Sequence, residues 1–169
     1  MSRLPLPEDE TTSALAARVV ASGTVSGQTV STAESLTAGM LASTICSVSG
    51  ASTVFWGGIV SYDNSVKSGV LGVREDLLAD KGSVDPDVAR SMAAGARRVC
   101  GTDWGVSTTG VAGPNPHDGK PVGLVYLGCA GPQGYATREL RLEGDRAEIR
   151  EQTVWAALRL LVESMARES

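Results

Sequence analysis

The chain has 169 residues, of which 42% are hydrophobic, 20% charged and 4% aromatic, with a formal net charge of −4 and a pI near 5.0. That length fits one domain with a sizeable core, built mostly from Val, Leu, Ile and Ala because aromatic residues are scarce. An acidic chain without a long Lys/Arg run or an aromatic stripe is a poor nucleic-acid ligand, and no apolar stretch nears the roughly 20 residues that span a bilayer.

The N-terminal "MSRLPLPEDETT" has no apolar h-region and reads as a loose tail over residues 1–10, followed by a single domain over 11–169 in a cytoplasmic protein. Cys46, Cys100 and Cys129 are distant from one another and form no CxxC pair. With the single histidine, His117, they make no convincing zinc set, so they read as buried free thiols. No metal and no cofactor are expected.

In chain order, Thr11 to Ser22 is Ala-rich, with Leu15 and Val19 at helical spacing and Gly23 as its expected stop. "QTVSTA" reads as a short strand and "TAGMLASTICSV" as a helix. "STVFWGGIVSYD" reads as a strand bent or bulged at Gly57 and Gly58, its Phe55 and Trp56 assigned to the core, as is Trp155. A short helix carrying Lys67 and another over "REDLLADKG" follow. Asp85, Pro86 and Gly101 punctuate a clear helix with Val88, Met92, Gly95 and Val99 on one face.

"WGVSTTG" is a strand, "VAGPNPHDGK" a Gly/Pro-rich loop, and "PVGLVYLGCAG" an apolar strand of central character. "GYATRELRL" alternates as an antiparallel partner would. The last helix runs from Asp145 to Ala166 on the stripe Val154, Leu158, Leu161 and Met165. Interleaved strands and helices imply an α/β class: a three-layer α/β/α sandwich with a mixed, mostly parallel sheet.

Three polar stretches fall at element ends, where α/β proteins build sites. "STAESLTAGM" places Ser35 at a strand-to-helix junction, where it fits a helix N-cap as readily as a nucleophile. "SYDNSVK" carries Lys67, a base only if its pKa falls and otherwise a solvated surface residue. "STTGVAGP" leads into a loop whose amides can polarise a carbonyl or hold a phosphate, or which is simply a turn. His117 fits an exposed loop residue, and a Ser-His-Asp triad is hard to build without a G-x-S-x-G elbow. If Ser35 is a nucleophile, lysine is the better base.

The order "AESLTAG", "GGIVSYDNSVKSGVLGV", "TGVAGP", "KPVGLVY" and "GDRAEIR", covering about Val30 to Leu161, resembles the CinA carboxy-terminal domain family, which includes nicotinamide mononucleotide amidohydrolases. Members occur alone or behind another domain, for which a chain this short leaves no room. The resemblance implies hydrolysis of the carboxamide of nicotinamide mononucleotide, in pyridine nucleotide salvage, by a serine nucleophile and a lysine base without a metal. It assigns Ser35, Lys67 and Thr109 to catalysis, with Thr109 orienting Lys67 or relaying a proton. It assigns Tyr62, Glu34, Thr37, Gly39, Asn64, Gly110, Ala112, Gly113, Arg146 and Arg150 to the substrate, Arg146 suiting the ribose phosphate. Leu36 and Ala38 stand where the family's stretch usually has Cys and Gly. A nucleotide-binding or interaction module without catalysis, and an amidase for a related amide, stay open. A small nucleotide substrate and a homo-oligomer are the expected partners; nucleic acid and membrane are not.

Overall fold

The computed structural model describes residues 10–167. A helix, α1 (Thr12–Ser26), begins where the Thr11 hydroxyl accepts the Ala14 amide, and ends at left-handed Gly27. The expected stop at Gly23 is therefore four residues early. Gly23 lies inside the helix because a Cβ there would sit 2.5 Å from Val54, so its smallness serves packing rather than termination.

Strand β1 (Val30–Glu34) follows, buried throughout, then α2 (Met40–Cys46), a single 3-10 turn (Ala51–Thr53) and β2 (Phe55–Val60). Val30 pairs with Phe55 and Ser31 with Gly57, so Trp56 is the extra residue of a bulge beside the glycines, as the sequence predicts. That bulge leaves Trp56 60% exposed, against its expected place in the core; Phe55 and Trp155 are partly buried.

Two short helices, α3 (Asn64–Gly69) and α4 (Glu75–Lys81), lead to α5 (Pro86–Cys100). Helix α5 has the expected Asp85 N-cap, Pro86 in its first turn and left-handed Gly101 at its end. Val88, Met92 and Gly95 are buried on it, but Val99, placed on the same face, is exposed near the helix end.

Strands β3 (Trp104–Gly110), β4 (Leu124–Gly131) and β5 (Gly134–Arg141) precede α6 (Arg146–Arg167), whose stripe of Val154, Leu158, Leu161 and Met165 is buried as expected. The sheet order is β2-β1-β3-β4-β5. β2, β1 and β3 run parallel, while β4 and β5 are antiparallel. The sheet is thus mixed and mostly parallel, as expected, with β4 alone running against the other four strands; β3 is the middle strand and β4 lies beside it in the interior of the sheet. Helices α1, α2 and α6 cover one face around the main core, and α5 covers the other.

Only residues 1–9 of the expected tail lie outside the described residues. Glu10 is held, its carbonyl accepting from Trp155 Nε1 and its carboxylate pairing with Arg18. Among the described residues no disulfide joins the three thiols; Cys129 is buried but Cys46 is exposed and Cys100 half-buried. Among the described residues no helix is long and apolar enough to cross a membrane.

Candidate active site

The carboxyl ends of β1, β2 and β3 converge, as open α/β sheets arrange for ligands. Ser35 leaves β1 with its amide donating to the Thr108 carbonyl at 2.9 Å. The chain then turns tightly: Ala38 donates to Ser35 O, and Ala38 (φ 47°) and Gly39 (φ 98°) are left-handed. Gly39, not Ser35, occupies the N-cap of α2 and makes no side-chain cap bond. Capping falls to Glu34, whose carboxylate takes the amides of Leu41 (2.8 Å) and Ala42 (3.0 Å). Ser35 is left free of helix duty and half-exposed.

Its hydroxyl meets Lys67 instead. Lys67 Nζ lies 3.1 Å from Ser35 Oγ, 2.7 Å from the Ser61 carbonyl and 3.2 Å from the Tyr62 carbonyl. Helix α3 starts on the Asp63 cap and carries Lys67 inward, 1% exposed. Burial lowers the Lys67 pKa to about 8, against the weaker pull of Asp63 in the other direction. Asp63 is turned to solvent and bound to the amide and hydroxyl of Ser65, which hold its carboxyl below the usual range.

The three oxygens around Nζ decide what a neutral amine does. An ammonium has three donors and no acceptor. After loss of one proton, two N–H groups remain for the two carbonyls, which can only accept. The lone pair is left for Ser35, the one neighbour with a proton to give. The surroundings therefore accommodate neutral Lys67 as a base directed at Ser35.

A cleft of about 360 Å³ opens above Ser35, lined by Leu36, Tyr62, Ser83, residues 110–117 and Arg146. Gly113 has φ +87°, and a Cβ on it would lie 2.8 Å from Val122, so glycine alone fits. Arg146, first residue of α6, donates to the Gly113 carbonyl at 2.6 Å and to the Tyr62 hydroxyl at 3.0 Å, joining two loops across the cleft. Two of the five N–H donors of its guanidinium are so engaged. Among the described residues, the amides of Leu36, Ala112 and Gly113 have no protein acceptor.

The structure thus brings Ser35, Lys67, Tyr62, Gly110, Ala112, Gly113 and Arg146 to one place. It redirects the others. Glu34 faces away into α2, because side chains alternate along a strand and Ser35 is the next residue. Thr37 is wholly buried, its hydroxyl paired with that of Thr108. Arg150 grips the Leu36 and Thr37 carbonyls at 2.9 and 3.3 Å, fastening the Ser35 turn from behind. Gly39 shapes that turn, and Asn64 is exposed on α3; neither lines the cleft.

Thr109 sits beside Ser35, one step past the Glu34–Thr108 pair, but its hydroxyl donates to the Ser83 carbonyl at 2.6 Å rather than orienting Lys67. Sequence reasoning missed the Ser61 carbonyl and Ser83; His117 is exposed in its loop, as expected, and lies at the edge of the cleft. Ala38 is exposed and outside the cleft, whereas Leu36 is part of its wall. Among the described residues, no group of three His, Cys, Asp or Glu side chains is placed to hold a metal ion.

The CinA C-terminal domain family matches residues 12–165. A CinA-like protein of Frankia casuarinae is 50% identical over 138 residues, covering 82% of this chain and 32% of that protein. A putative competence-damage inducible protein of Desulforamulus reducens is 45% identical over 134 residues, 79% of this chain and 33% of its own length. The chain spans about a third of the length of these curated relatives.

The crystal structure of the competence/damage inducible protein CihA from Agrobacterium tumefaciens superposes with a TM-score of 0.87 at 37% identity, covering 96% of this chain and 98% of that one. A CinA superfamily protein from Enterobacter cloacae does so with a TM-score of 0.90 at 27% identity, covering 98% of each. By family match, relatives and fold together, the chain belongs to the CinA C-terminal domain family.

Proposed function

We propose that the protein is an amidohydrolase that cleaves the carboxamide of nicotinamide mononucleotide to nicotinate mononucleotide and ammonia through a Ser35 acyl-enzyme, as part of pyridine nucleotide salvage in the cytoplasm. One observation carries this reading: a buried lysine with its pKa lowered to about 8, 3.1 Å from a serine hydroxyl at the floor of a cleft.

Ser35 Oγ attacks the amide carbon while its proton passes to Lys67, forming a tetrahedral oxyanion. The unengaged amides of Leu36, Ala112 and Gly113 are the donors at hand for that charge. Protonated Lys67 gives its proton to the departing nitrogen, the C–N bond breaks, and ammonia leaves. Water then attacks the Ser35 ester carbon as Lys67 takes its proton, and Lys67 passes that proton to Ser35 Oγ as the ester C–O bond breaks, releasing nicotinate mononucleotide and restoring the serine and the neutral lysine. Arg146, at the rim, suits the substrate's phosphate through its remaining donors. Thr109 and Arg150 act as positioning residues, holding the loops on either side of Ser35.

The test is ammonia release from nicotinamide mononucleotide, from nicotinamide and from a panel of other carboxamides. Turnover of the mononucleotide without added metal supports the reading. Turnover of another amide alone makes the enzyme an amidase of that substrate. Tight mononucleotide binding by calorimetry with no ammonia released makes the domain a binding module.

A further inference from the structure

The mechanism assigns no task to Ser83, the second serine of the cleft. Ser83 is 7% exposed and lines the cleft together with Ser35. Its backbone is held from two sides. The carbonyl accepts from the Thr109 hydroxyl at 2.6 Å, and Thr109 follows Thr108, the register partner of Glu34. The amide lies 3.5 Å from the Asp118 carboxylate, and the next residue, Val84, is buried in a small cluster with Val111 and Leu124. Ser83 is thereby fixed beside Ser35 through the end of β3. Its side chain is uncommitted: among the described residues the Ser83 hydroxyl has no hydrogen-bond partner in the protein. Nor is it sealed in, because among the described residues Thr32 Oγ1 is the one fully enclosed side-chain polar atom left without a partner. The free hydroxyl therefore opens onto the cleft.

A primary carboxamide brings one carbonyl acceptor and two N–H donors into such a site. Its carbonyl oxygen has the unengaged amides of Leu36, Ala112 and Gly113 to meet. Its N–H donors need acceptors, and the cleft has few to spare. Among the described residues no Asp or Glu lines it. Of the lining backbone carbonyls, that of Leu36 accepts from Arg150, that of Tyr62 from Lys67, that of Ser83 from Thr109, that of Val111 from Gly123 and that of Gly113 from Arg146. The Tyr62 hydroxyl accepts from Arg146 as well. Asn115 and His117 belong to the exposed stretch 114–117 at the mouth. At the buried level of the cleft the side-chain acceptors are the hydroxyls of Ser35 and Ser83, and Ser35 is the attacking group.

We propose that Ser83 is a specificity-determining residue whose hydroxyl accepts an N–H of the scissile carboxamide. The contact orients the amide nitrogen while the carbonyl carbon faces Ser35, and it selects a primary amide over an isosteric group that lacks the donor. A site that hydrogen-bonds a substrate N–H disfavours the analogue without it, because the site's own polar group is then left unpaired. A serine hydroxyl does not change charge in the working pH range, so this preference is independent of pH. The proposal rests on the cleft holding the carboxamide of the proposed substrate, and its test separates the two.

The probes are nicotinamide mononucleotide and its 3-acetylpyridine analogue, in which a methyl group replaces the amide nitrogen at nearly the same size. Both are titrated by calorimetry into the whole chain carrying Ser35→Ala, where no turnover intervenes, and into the same chain with Ser83→Ala added. Ser83→Ala removes the hydroxyl but keeps the backbone carbonyl that Thr109 uses, and circular dichroism checks that the fold is intact. With Ser83 present the amide should bind about threefold to tenfold tighter than the ketone, at pH 6.5 and pH 8.5 alike. Loss of the hydroxyl should bring the ratio to within about twofold by weakening the amide alone. Binding of both ligands at a ratio that Ser83→Ala leaves unchanged overturns the proposal and keeps the cleft as the substrate site. Failure of both ligands to bind removes the proposed substrate and this contact with it. With Ser35 intact, Ser83→Ala should lower kcat/KM for ammonia release by a similar factor and leave the midpoint of the pH profile in place. A moved midpoint would mean that the hydroxyl acts through Lys67 and would contradict the contact.

Discussion

Lys67 and Arg146 are two cations of one cleft, and their surroundings differ in every respect. Lys67 is enclosed, its Nζ hydrogen-bonds to oxygen atoms of Ser35, Ser61 and Tyr62, and its pKa is lowered to about 8 by burial. Arg146 is at the solvent-facing rim, joined to a loop carbonyl and an exposed tyrosine hydroxyl. A guanidinium stays charged in any such setting, whereas a desolvated amine sheds its proton. One fold thus places an amine of lowered pKa at the floor and a permanent cation at the mouth from residues of the same nominal charge, which the proposed function reads as a base and an anion contact. Floor changes should therefore appear in kcat, and rim changes in KM.

The sharpest way to break this division is at the floor. Lys67→Met is expected to lower kcat by about 10²–10⁴, the usual worth of a general acid–base, while circular dichroism reports an intact fold. In the wild type kcat should rise with pH to a plateau with its midpoint near 8; a flat profile between pH 6 and 9 would remove Lys67 from the role.

The same substitution has a stability signature. Because the folded-state pKa lies below the ordinary lysine value of 10.5, the unfolded chain binds more protons between about pH 8 and 10.5. Wild-type stability should therefore climb relative to Lys67→Met across that window. Urea unfolding of both proteins at pH 7.5 and pH 10 checks the sign.

At the rim, Arg146→Ala should raise KM for the mononucleotide about tenfold or more and change kcat by only a few-fold. Steady-state kinetics that show the reverse would merge the two regions. The smallest effect on turnover is expected from Thr109→Val, which leaves the Ser83 carbonyl without its donor. It should cost about 1–2 kcal/mol of stability by urea unfolding and at most a few-fold in kcat. A loss as large as that of Lys67→Met would restore Thr109 to catalysis.

The sequence made some of this architecture legible and hid the rest for identifiable reasons. Asp85, Pro86 and Gly101 mark α5 because capping chemistry is local, and the α6 stripe repeats often enough to be read. Ser35 and Lys67 become legible as a pair only when the stretches around them are taken in order. Locally, a serine at a strand end and a lysine in a short helix have bland uses.

Glu34, Thr37, Thr109 and Arg150 cluster around Ser35 in sequence or motif, yet their hydrogen bonds go to the scaffold. Strand alternation already implied that Glu34 and Ser35 face opposite ways. The commitments of Thr37, Thr109 and Arg150 depend on long-range partners that no local pattern reveals. The Ser61 and Tyr62 carbonyls were invisible for a different reason: backbone atoms that hold Lys67 carry no side-chain signature. Gly23 misled because a glycine chosen for close packing against Val54 looks the same as one chosen to end a helix.

The central claim is that Ser35 is the nucleophile, and its most direct test is the rate of ammonia release from nicotinamide mononucleotide by Ser35→Ala beside the wild type at pH 8. The account predicts turnover by the wild type and a loss of about 10⁴-fold or more in the variant, with its fold unchanged. Ammonia release by Ser35→Ala at the wild-type rate would contradict it.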